Sequence, residues 1–459
     1  MIAPFEYSLS TILTVLTKKK PVLLTKNPKF RWISTASSEC KPNTLFVPLR
    51  GARDGHEFIK DALGKGASGF LCETNHPILE KLTKEETTKA IFVKDGLLAL
   101  GKLANHHRNR FDPYVLAITG SSGKTTTKDL LGGLFSYLPR RDLVITEKNY
   151  NNEIGLPFTL FRIQEYTQVV VCELGMNHRG EIERLSKIAE PTHSLITNIG
   201  SAHIENLKKR ETIALEKSDI LLGMRKDGVL FVPDDLEFLS IVKQRAKKLK
   251  TRLLIWGHTK KTKLKIESTK RDGFVLGWNK NLIHWKLPGI KLLSNLRGVL
   301  EVAEYLALPS EQIIKTIQNF KSPNKRLDIK KGYFTIIDDS YNANPESMKS
   351  SIDASVQFAG VKNVVWILGT MKELGSQSKF YHKDLGLYIK NYGRGEVLVL
   401  GEPMKELTKV LRNSKYFETH TDLIEYTKTN IPKGSVILVK GSRSMKMETI
   451  VEALVSFKA

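Results

Sequence analysis

Residues 114–131, YVLAITGSSGKTTTKDLL, constrain this chain more than any other stretch. An apolar run ends in a glycine-rich turn, followed by Gly-Lys-Thr-Thr and a segment of helical composition. A strand that is apolar on both faces needs crossover helices on both sides, so the pattern demands an open parallel sheet. The turn also has a chemical use. Its backbone N–H groups, over Gly120, Ser121, Ser122 and Gly123, and the helix N-terminus at Thr126 can cradle phosphate oxygens. Lys124 can neutralise β- and γ-phosphates, and Thr125 can offer its hydroxyl to Mg²⁺. Ile118 occupies the first glycine position of the full phosphate-loop pattern. Strand, Gly-Lys-Thr-Thr and helix together still favour nucleotide binding over a plain structural turn.

The α/β pattern continues through QVVVCEL (168–174) and HSLITNI (193–199), with GEIERLSKIA (180–189) as a helix between them. Around 250–287 it changes to short polar strands, expected to be antiparallel, and a helix follows over 292–308. Upstream, TLFVPL (44–49) and GFLCE (69–73) read as strands, HEFIKDALGKGA (56–67) and 96–111 as helices. Downstream, TIIDD (335–339), VVWILG (364–369), EVLVLG (396–401) and SVILVKG (435–441) restart the pattern. The expected class is therefore α/β with three domains: a small N-terminal α/β domain over 1–108, a central parallel-sheet ATPase domain over 109–322, and a C-terminal Rossmann-like domain over 323–459. At roughly 150 residues per domain, 459 residues suit three.

Composition excludes several classes. No apolar run is long enough to span a bilayer, and the first residues lack the basic start and cleavage site of a signal peptide. Cys40, Cys72 and Cys172 have no metal-type spacing and favour a reducing cytoplasm. The net charge of +24 is densest over 243–271, which reads as a solvated basic hairpin. Attraction to nucleotide substrates or nucleic acid is the sharper reading, but interleaved aromatics for base stacking are sparse there.

Three further residues gain meaning from the phosphate loop. Glu173 ends the strand VVVCE, where a carboxylate beside bound phosphates suits Mg²⁺. His203 follows another strand end. Lys217, in IALEKSDIL, alone reads as a solvated helix lysine.

With TGSSGKTTTK, ELGMNHRGEI (173–182), TNIGSAHIE (197–205), IALEKSDIL and NYNNEIGLPFTL (149–160), the central part resembles the Mur ligases. DDSYNANPESM (338–348), LGTMKELG (368–375) and VKGSRSMKME (439–448) resemble the branch of that family that adds a D-alanyl-D-alanine dipeptide. STASSECKPNTLFVPLRGARDGHEF (34–58) resembles its UDP-sugar-binding domain. The similarity covers nearly the whole chain, in order.

The resemblance implies an ATP-dependent ligase with UDP-MurNAc-tripeptide and D-Ala-D-Ala as substrates and an acyl phosphate as intermediate. It implies two Mg²⁺ sites, Thr125 and Glu173 at the first, His203 and a carbamylated Lys217 at the second. Lys124, His203 and Lys217 would be the catalytic residues. Asn295 would approach adenine, Arg326 and Asp339 the phosphate and ribose. Asn151 and Asn152 would lie near the substrate and γ-phosphate; Lys440, Ser442 and Arg443 would close over the dipeptide. Ser37, Arg53, Asp54 and His56 would serve the uridine nucleotide, with turn or capping roles competing at Asp54, His56 and Ser442. A monomer without membrane or nucleic-acid partners is expected.

Three positions depart from the family pattern. Asp-Ser-Arg at the uridine site reads Ala36-Ser37-Ser38, Gly-Asp-Met reads Gly369-Thr370-Met371, and the His-Asn pair before Asn295 reads Lys291-Leu292. Of the alternatives, a ligase adding the third amino acid fits SYNANP and LG-x-M-x-ELG poorly. A folylpolyglutamate-synthetase-like enzyme would lack the N-terminal motif. A basic nucleic-acid-coupled ATPase has only the charge in its favour.

Overall fold

The computed structural model describes residues 1–17, 27–257, 264–322, 325–393 and 395–458. The phosphate-loop run folds as expected. Tyr114–Thr119 is a strand and Lys124–Leu134 a helix, with the turn between them. The strand lies inside a six-stranded parallel sheet of spatial order Arg252–Trp256, Val229–Pro233, His193–Ile196, Tyr114–Thr119, Val169–Glu173 and Leu143–Ile145. After Tyr114–Thr119 the chain goes out to the edge strand Leu143–Ile145, returns to Val169–Glu173 between them, then crosses to the other side at His193–Ile196. Ligand crevices form at such a reversal, beyond the carboxyl ends of the strands.

Two further sheets flank this one in sequence. The N-terminal sheet orders Ile2–Ser8, Lys29–Ser34, Thr44–Phe46, Ala67–Glu73 and Ala90–Val93, antiparallel in its first pair and parallel beyond. The C-terminal sheet orders Asp328–Lys331, Thr335–Asp339, Val436–Lys440, Val364–Gly369, Glu396–Leu400 and Ser414–Phe417, again antiparallel only in the first pair. The apolar strands of this last unit alternate sides. Ile337, Trp366 and Leu438 face one core, while Ile336, Ile367 and Ile437 face another. That two-sided burial is why they read as continuous apolar runs.

The helix Gly96–Phe111 links the first two units and runs past the expected boundary at 108. Its periodic apolar face, Leu100, Leu103 and Ala104, is buried, and it stops at Asp112, in a left-handed conformation just before Pro113. Arg108 on its last turn is fully buried. Its guanidinium donates to the carbonyls of Ala189 and Glu190, each at 3.0 Å, and to Asp112 at 2.7 Å. Nothing apolar could make those three bonds, so the arginine fixes the helix against the central unit.

Three expectations are corrected. The strand Arg252–Trp256 is parallel, not antiparallel, and forms the edge of the central sheet. Antiparallel pairing begins later, in Leu264–Lys270, Gly273–Trp278 and Asn281–Trp285. The basic stretch 243–271 is therefore no hairpin; it divides among the end of helix Leu239–Lys248, that edge strand and Leu264–Lys270, while 258–263 lie outside the described residues. Arg245, Lys247 and Lys248 occupy the helix's last turn, where cations complement the dipole. The helix expected over 56–67 starts as a 3₁₀ turn, Gly55–Phe58, and is α-helical over Ile59–Gly64. No helix among the described residues is long and apolar enough to cross a membrane.

Candidate active site

The phosphate loop is held open by its neighbours rather than by its own bonds. Ser122 N–H donates to Asn198 Oδ1 at 3.0 Å, and Asn198 Nδ2 donates back to the Ser122 carbonyl at 3.0 Å. Thr197 Oγ1 donates to the same carbonyl at 2.6 Å, and Gly200 N–H donates to Ser121 Oγ at 2.8 Å. At two glycines a side chain would collide with a neighbour. A Cβ at Gly120 would lie 1.8 Å from Thr197 Oγ1, and one at Gly123 (φ +79°) would lie 2.6 Å from Asn295 Oδ1. Asn295 is thus seated against the turn from the helix Ile290–Tyr305. Lys124 folds back, donating to the Gly120 carbonyl at 2.7 Å. Burial lowers its pKa; Glu173 partly offsets this and Arg326 adds to it.

Glu173 is the polar hub. It is 4% exposed, and each carboxylate oxygen has a partner: Thr125 Oγ1 donates to one at 2.8 Å, Asn151 Nδ2 to the other at 2.8 Å. Its backbone N–H donates to Thr146 Oγ1 at 3.1 Å, and the Thr146 carbonyl accepts from the buried Lys128 Nζ at 2.9 Å. A hydroxyl and a carboxylate gathered beside a phosphate loop are oxygen donors of the kind Mg²⁺ takes, and the Asn151 amide N–H orients the carboxylate. Asn152 instead caps its own turn, accepting from Gly155 N–H at 2.8 Å.

The C-terminal unit supplies the opposite wall of a cleft of about 880 Å³, which Thr125, Glu173, Asn295, Arg326, Asp339 and Lys440 line together. Lys440 Nζ donates to Asp339 Oδ2 at 2.6 Å and to the Asn342 carbonyl at 2.9 Å, so two residues expected at different substrate ends form one buried ion pair. Arg326 stacks its guanidinium over Tyr341, 4.3 Å from the ring centre. Arg443 lines the cleft while pairing with Glu448 at 2.7 Å. Ser442 does not line it; its Oγ accepts from Lys372 N–H at 2.8 Å and donates to the Ala343 carbonyl.

Lys217 does not line the cleft either. It is 2% exposed, and among the described residues no hydrogen bond or ion pair reaches its amine. Burial lowers its pKa well below the ordinary lysine value, and the Lys124 charge adds to the fall. His203 does line the cleft, with Nδ1 2.6 Å from Glu373 Oε2 of the C-terminal unit.

The four residues expected at the uridine nucleotide sit apart from the cleft, on the N-terminal unit. Ser37 opens the short turn Ser37–Glu39, and Arg53 is exposed. Asp54 caps the turn that follows it. It accepts from the His56 N–H at 3.0 Å, from His56 Nδ1 at 2.7 Å and from His76 Nε2 at 3.0 Å. Those bonds overcome burial and hold its carboxyl far below the usual range. The trio gathers like a metal site, with ligand atoms within 4.8 Å of one another. Yet His76 Nδ1 accepts from the Ile78 N–H at 3.2 Å, so the neutral ring carries its proton on Nε2, where a metal would need a lone pair. The cluster is a satisfied hydrogen-bond network.

Sequence reasoning passed over Asn198, Thr146 and Glu373. All three sit at or next to strand ends or within quoted motifs, but their roles depend on partners distant in sequence.

A parallel sheet with a phosphate loop at its reversal, and a second Rossmann-like unit walling the same cleft, define a multidomain nucleotide-dependent enzyme of the P-loop class. Residues 118–303 match the Mur ligase middle domain, and residues 325–443 match the Mur ligase glutamate ligase domain. The chain is 33% identical over 436 residues to the UDP-N-acetylmuramoyl-tripeptide--D-alanyl-D-alanine ligase of Bacillus subtilis (strain 168), covering 92% of this chain and 93% of that one. Among solved structures it resembles MurF from Acinetobacter baumannii, with TM-score 0.87, 27% identity, and 99% and 100% of the two chains covered. MurF from Thermotoga maritima in complex with ADP follows the same course, with TM-score 0.80, 25% identity and 92% and 96% coverage. The chain belongs to the Mur ligase family, on its UDP-N-acetylmuramoyl-tripeptide--D-alanyl-D-alanine ligase (MurF) branch.

Proposed function

We propose that this chain joins D-alanyl-D-alanine to UDP-MurNAc-tripeptide, converting ATP to ADP and phosphate. The observation that carries this reading is the Glu173 hub, bonded to Thr125 and Asn151 at the phosphate loop within a cleft whose far wall belongs to the C-terminal unit. The terminal carboxylate of the tripeptide attacks the γ-phosphorus, and ADP leaves. The dipeptide amine then attacks the acyl carbon. The tetrahedral intermediate collapses to an amide, and phosphate departs carrying one of the original carboxylate oxygens.

The chain's residues divide this work. Loop N–H groups and Lys124 hold the β- and γ-phosphates, and Asn295 turns toward adenine from its seat on Gly123. Arg326 and Asp339 serve the ribose and phosphate side, Asn151 and Asn152 the tripeptide end. Lys440 and Arg443 serve the dipeptide, Ser442 braces their loop through its bonds to Lys372 and Ala343, and Ser37, Arg53, Asp54 and His56 serve the uridine nucleotide. Thr125 and Glu173 fit one Mg²⁺; His203 and Lys217 fit a second if the lysine carries CO₂ as a carbamate. Mg²⁺, when bound, neutralises charge on the transferring phosphoryl group. The burial of Lys217 without an acid partner supports the carbamate, because a neutral amine is what reacts with CO₂ and a cation there would repel the metal. Free, buried cysteines suit the cytoplasm, and we place the enzyme there as a monomer.

The test is isotopic. UDP-MurNAc-tripeptide labelled with ¹⁸O in its terminal carboxylate should yield one ¹⁸O in the released phosphate and a product heavier by one D-Ala-D-Ala residue pair. Unlabelled phosphate alongside that product would exclude the acyl phosphate.

A further inference from the structure

The short helix Ile204–Leu207 of the central unit is gripped by the segment 373–377 of the C-terminal unit. Glu205 N–H donates to the Glu373 carbonyl at 3.1 Å, and Gln377 Nε2 donates to the Lys208 carbonyl at 3.4 Å. Gly375 presses on Glu205, where a Cβ would come within 3.1 Å of its Cγ. Within this grip the Glu373 carboxylate stands 2.6 Å from His203 Nδ1. Both residues are held in the left-handed region, each at φ +64°. Non-glycine residues stay there only where their surroundings over-determine them. The contact is thus constrained from both sides.

A carboxylate held against one ring nitrogen of an imidazole, as this ion-pair contact holds Glu373 against Nδ1, draws the ring proton to that nitrogen and leaves the other with a lone pair. This is how carboxylates orient histidines that bind metals. His203 lines the nucleotide cleft, so its Nε2 is the nitrogen left for a ligand there. The orienting carboxylate comes from a different unit than the histidine. We infer that Glu373 is a positioning residue for His203, and that docking of the C-terminal unit is what completes the His203 side of the metal centre. The inference rests on the proposed two-metal reading. It adds a coupling: the C-terminal unit that brings the dipeptide-side residues to the cleft also readies the metal ligand, so phosphoryl transfer is favoured only in the docked arrangement.

Manganese binding to the full-length enzyme, loaded with a non-hydrolysable ATP analogue and followed by electron paramagnetic resonance, tests this without turnover. Wild type should bind two Mn²⁺ per chain. Glu373→Gln should weaken one of them by about 10- to 100-fold, the range seen when an outer partner of a metal-bound histidine is removed. The other Mn²⁺ and the nucleotide should be held as in wild type, and Glu373→Asp should recover part of the loss. His203→Ala should abolish the same Mn²⁺, and Glu373→Gln added to it should change nothing further. Two Mn²⁺ in wild type with both affinities unchanged in Glu373→Gln would overturn the inference alone. A single Mn²⁺ in wild type would overturn the two-metal reading and the inference with it.

Discussion

Lys124 and Lys217 are both lysines whose charge burial disfavours, yet the proposed mechanism gives them opposite tasks. Lys124 is held to the Gly120 carbonyl, from where its ammonium would meet bound phosphates. Lys124→Ala removes charge stabilisation rather than core packing, so ligation should be abolished while the melting temperature stays within a few degrees of wild type. Wild-type turnover by that variant would contradict the assignment. Lys217→Ala should lose activity by orders of magnitude, with partial recovery by short carboxylates that occupy the vacated position. Lys217→Arg should not recover, since a guanidinium stays cationic and takes up no CO₂. A ¹³C resonance of carbamate in enzyme equilibrated with ¹³CO₂, absent from Lys217→Ala, reads the modification directly. In the sequence Lys217 looks like any solvated helix lysine; its burial comes from tertiary packing that no local pattern carries. Glu373 was hidden for the same reason, because its partner lies in another unit.

At the scale of elements, the phosphate turn and the bridging helix make separate predictions. Gly123→Ala would place a side chain in a left-handed conformation, costing about 1–2 kcal/mol, and would push on the Asn295 amide. Nucleotide affinity should fall at least tenfold by calorimetry, with the fold retained. On helix Gly96–Phe111, His107 donates from Nε2 to the Ile163 carbonyl at 2.9 Å and accepts at Nδ1 from the Tyr7 hydroxyl at 2.9 Å. It joins the N-terminal sheet to the central unit as a neutral ring. Burial lowers its pKa to about 4, as burial and Arg252 do for His193, also to about 4. Unfolded, both return near 6.5, so the unfolded chain binds more protons between those values. Their stabilisation is complete above about pH 6.5 and falls by about 1.4 kcal/mol per pH unit for each histidine below it. Chemical denaturation at pH 7.5 and pH 5.5 should show that loss, and His107→Gln should reduce it; equal stability at both pH values would contradict it. Elements with one dominant signal were legible in the sequence: the helix at 96–111 from its periodicity, the strands of the last unit from their apolar runs. Arg252–Trp256 was not, because flanking lysines masked its apolar LLIW.

At the scale of the molecule, the residues proposed for the uridine nucleotide stand outside the cleft that holds the phosphate loop. Reacting groups must come within about 3–3.5 Å, so closure of the units on the substrates is the expected outcome. The polar contacts between the central and C-terminal units, such as Asn344 Nδ2 to the Ser121 carbonyl at 3.3 Å and Ser201 N–H to Glu346 at 2.9 Å, can be remade in such a motion. Small-angle scattering should show compaction when an ATP analogue and UDP-MurNAc-tripeptide are added together; an unchanged radius of gyration would contradict closure.

In the proposed reaction ATP cleavage is coupled to amide formation between UDP-MurNAc-tripeptide and D-Ala-D-Ala. Release of ADP, followed with UDP-MurNAc-tripeptide in the presence and absence of D-Ala-D-Ala, tests it most directly. Sustained ADP release, matched one-to-one by product, should appear only when ATP, UDP-MurNAc-tripeptide and D-Ala-D-Ala are all present. ADP release that continues unchanged when either the UDP-peptide or the dipeptide is left out would contradict it.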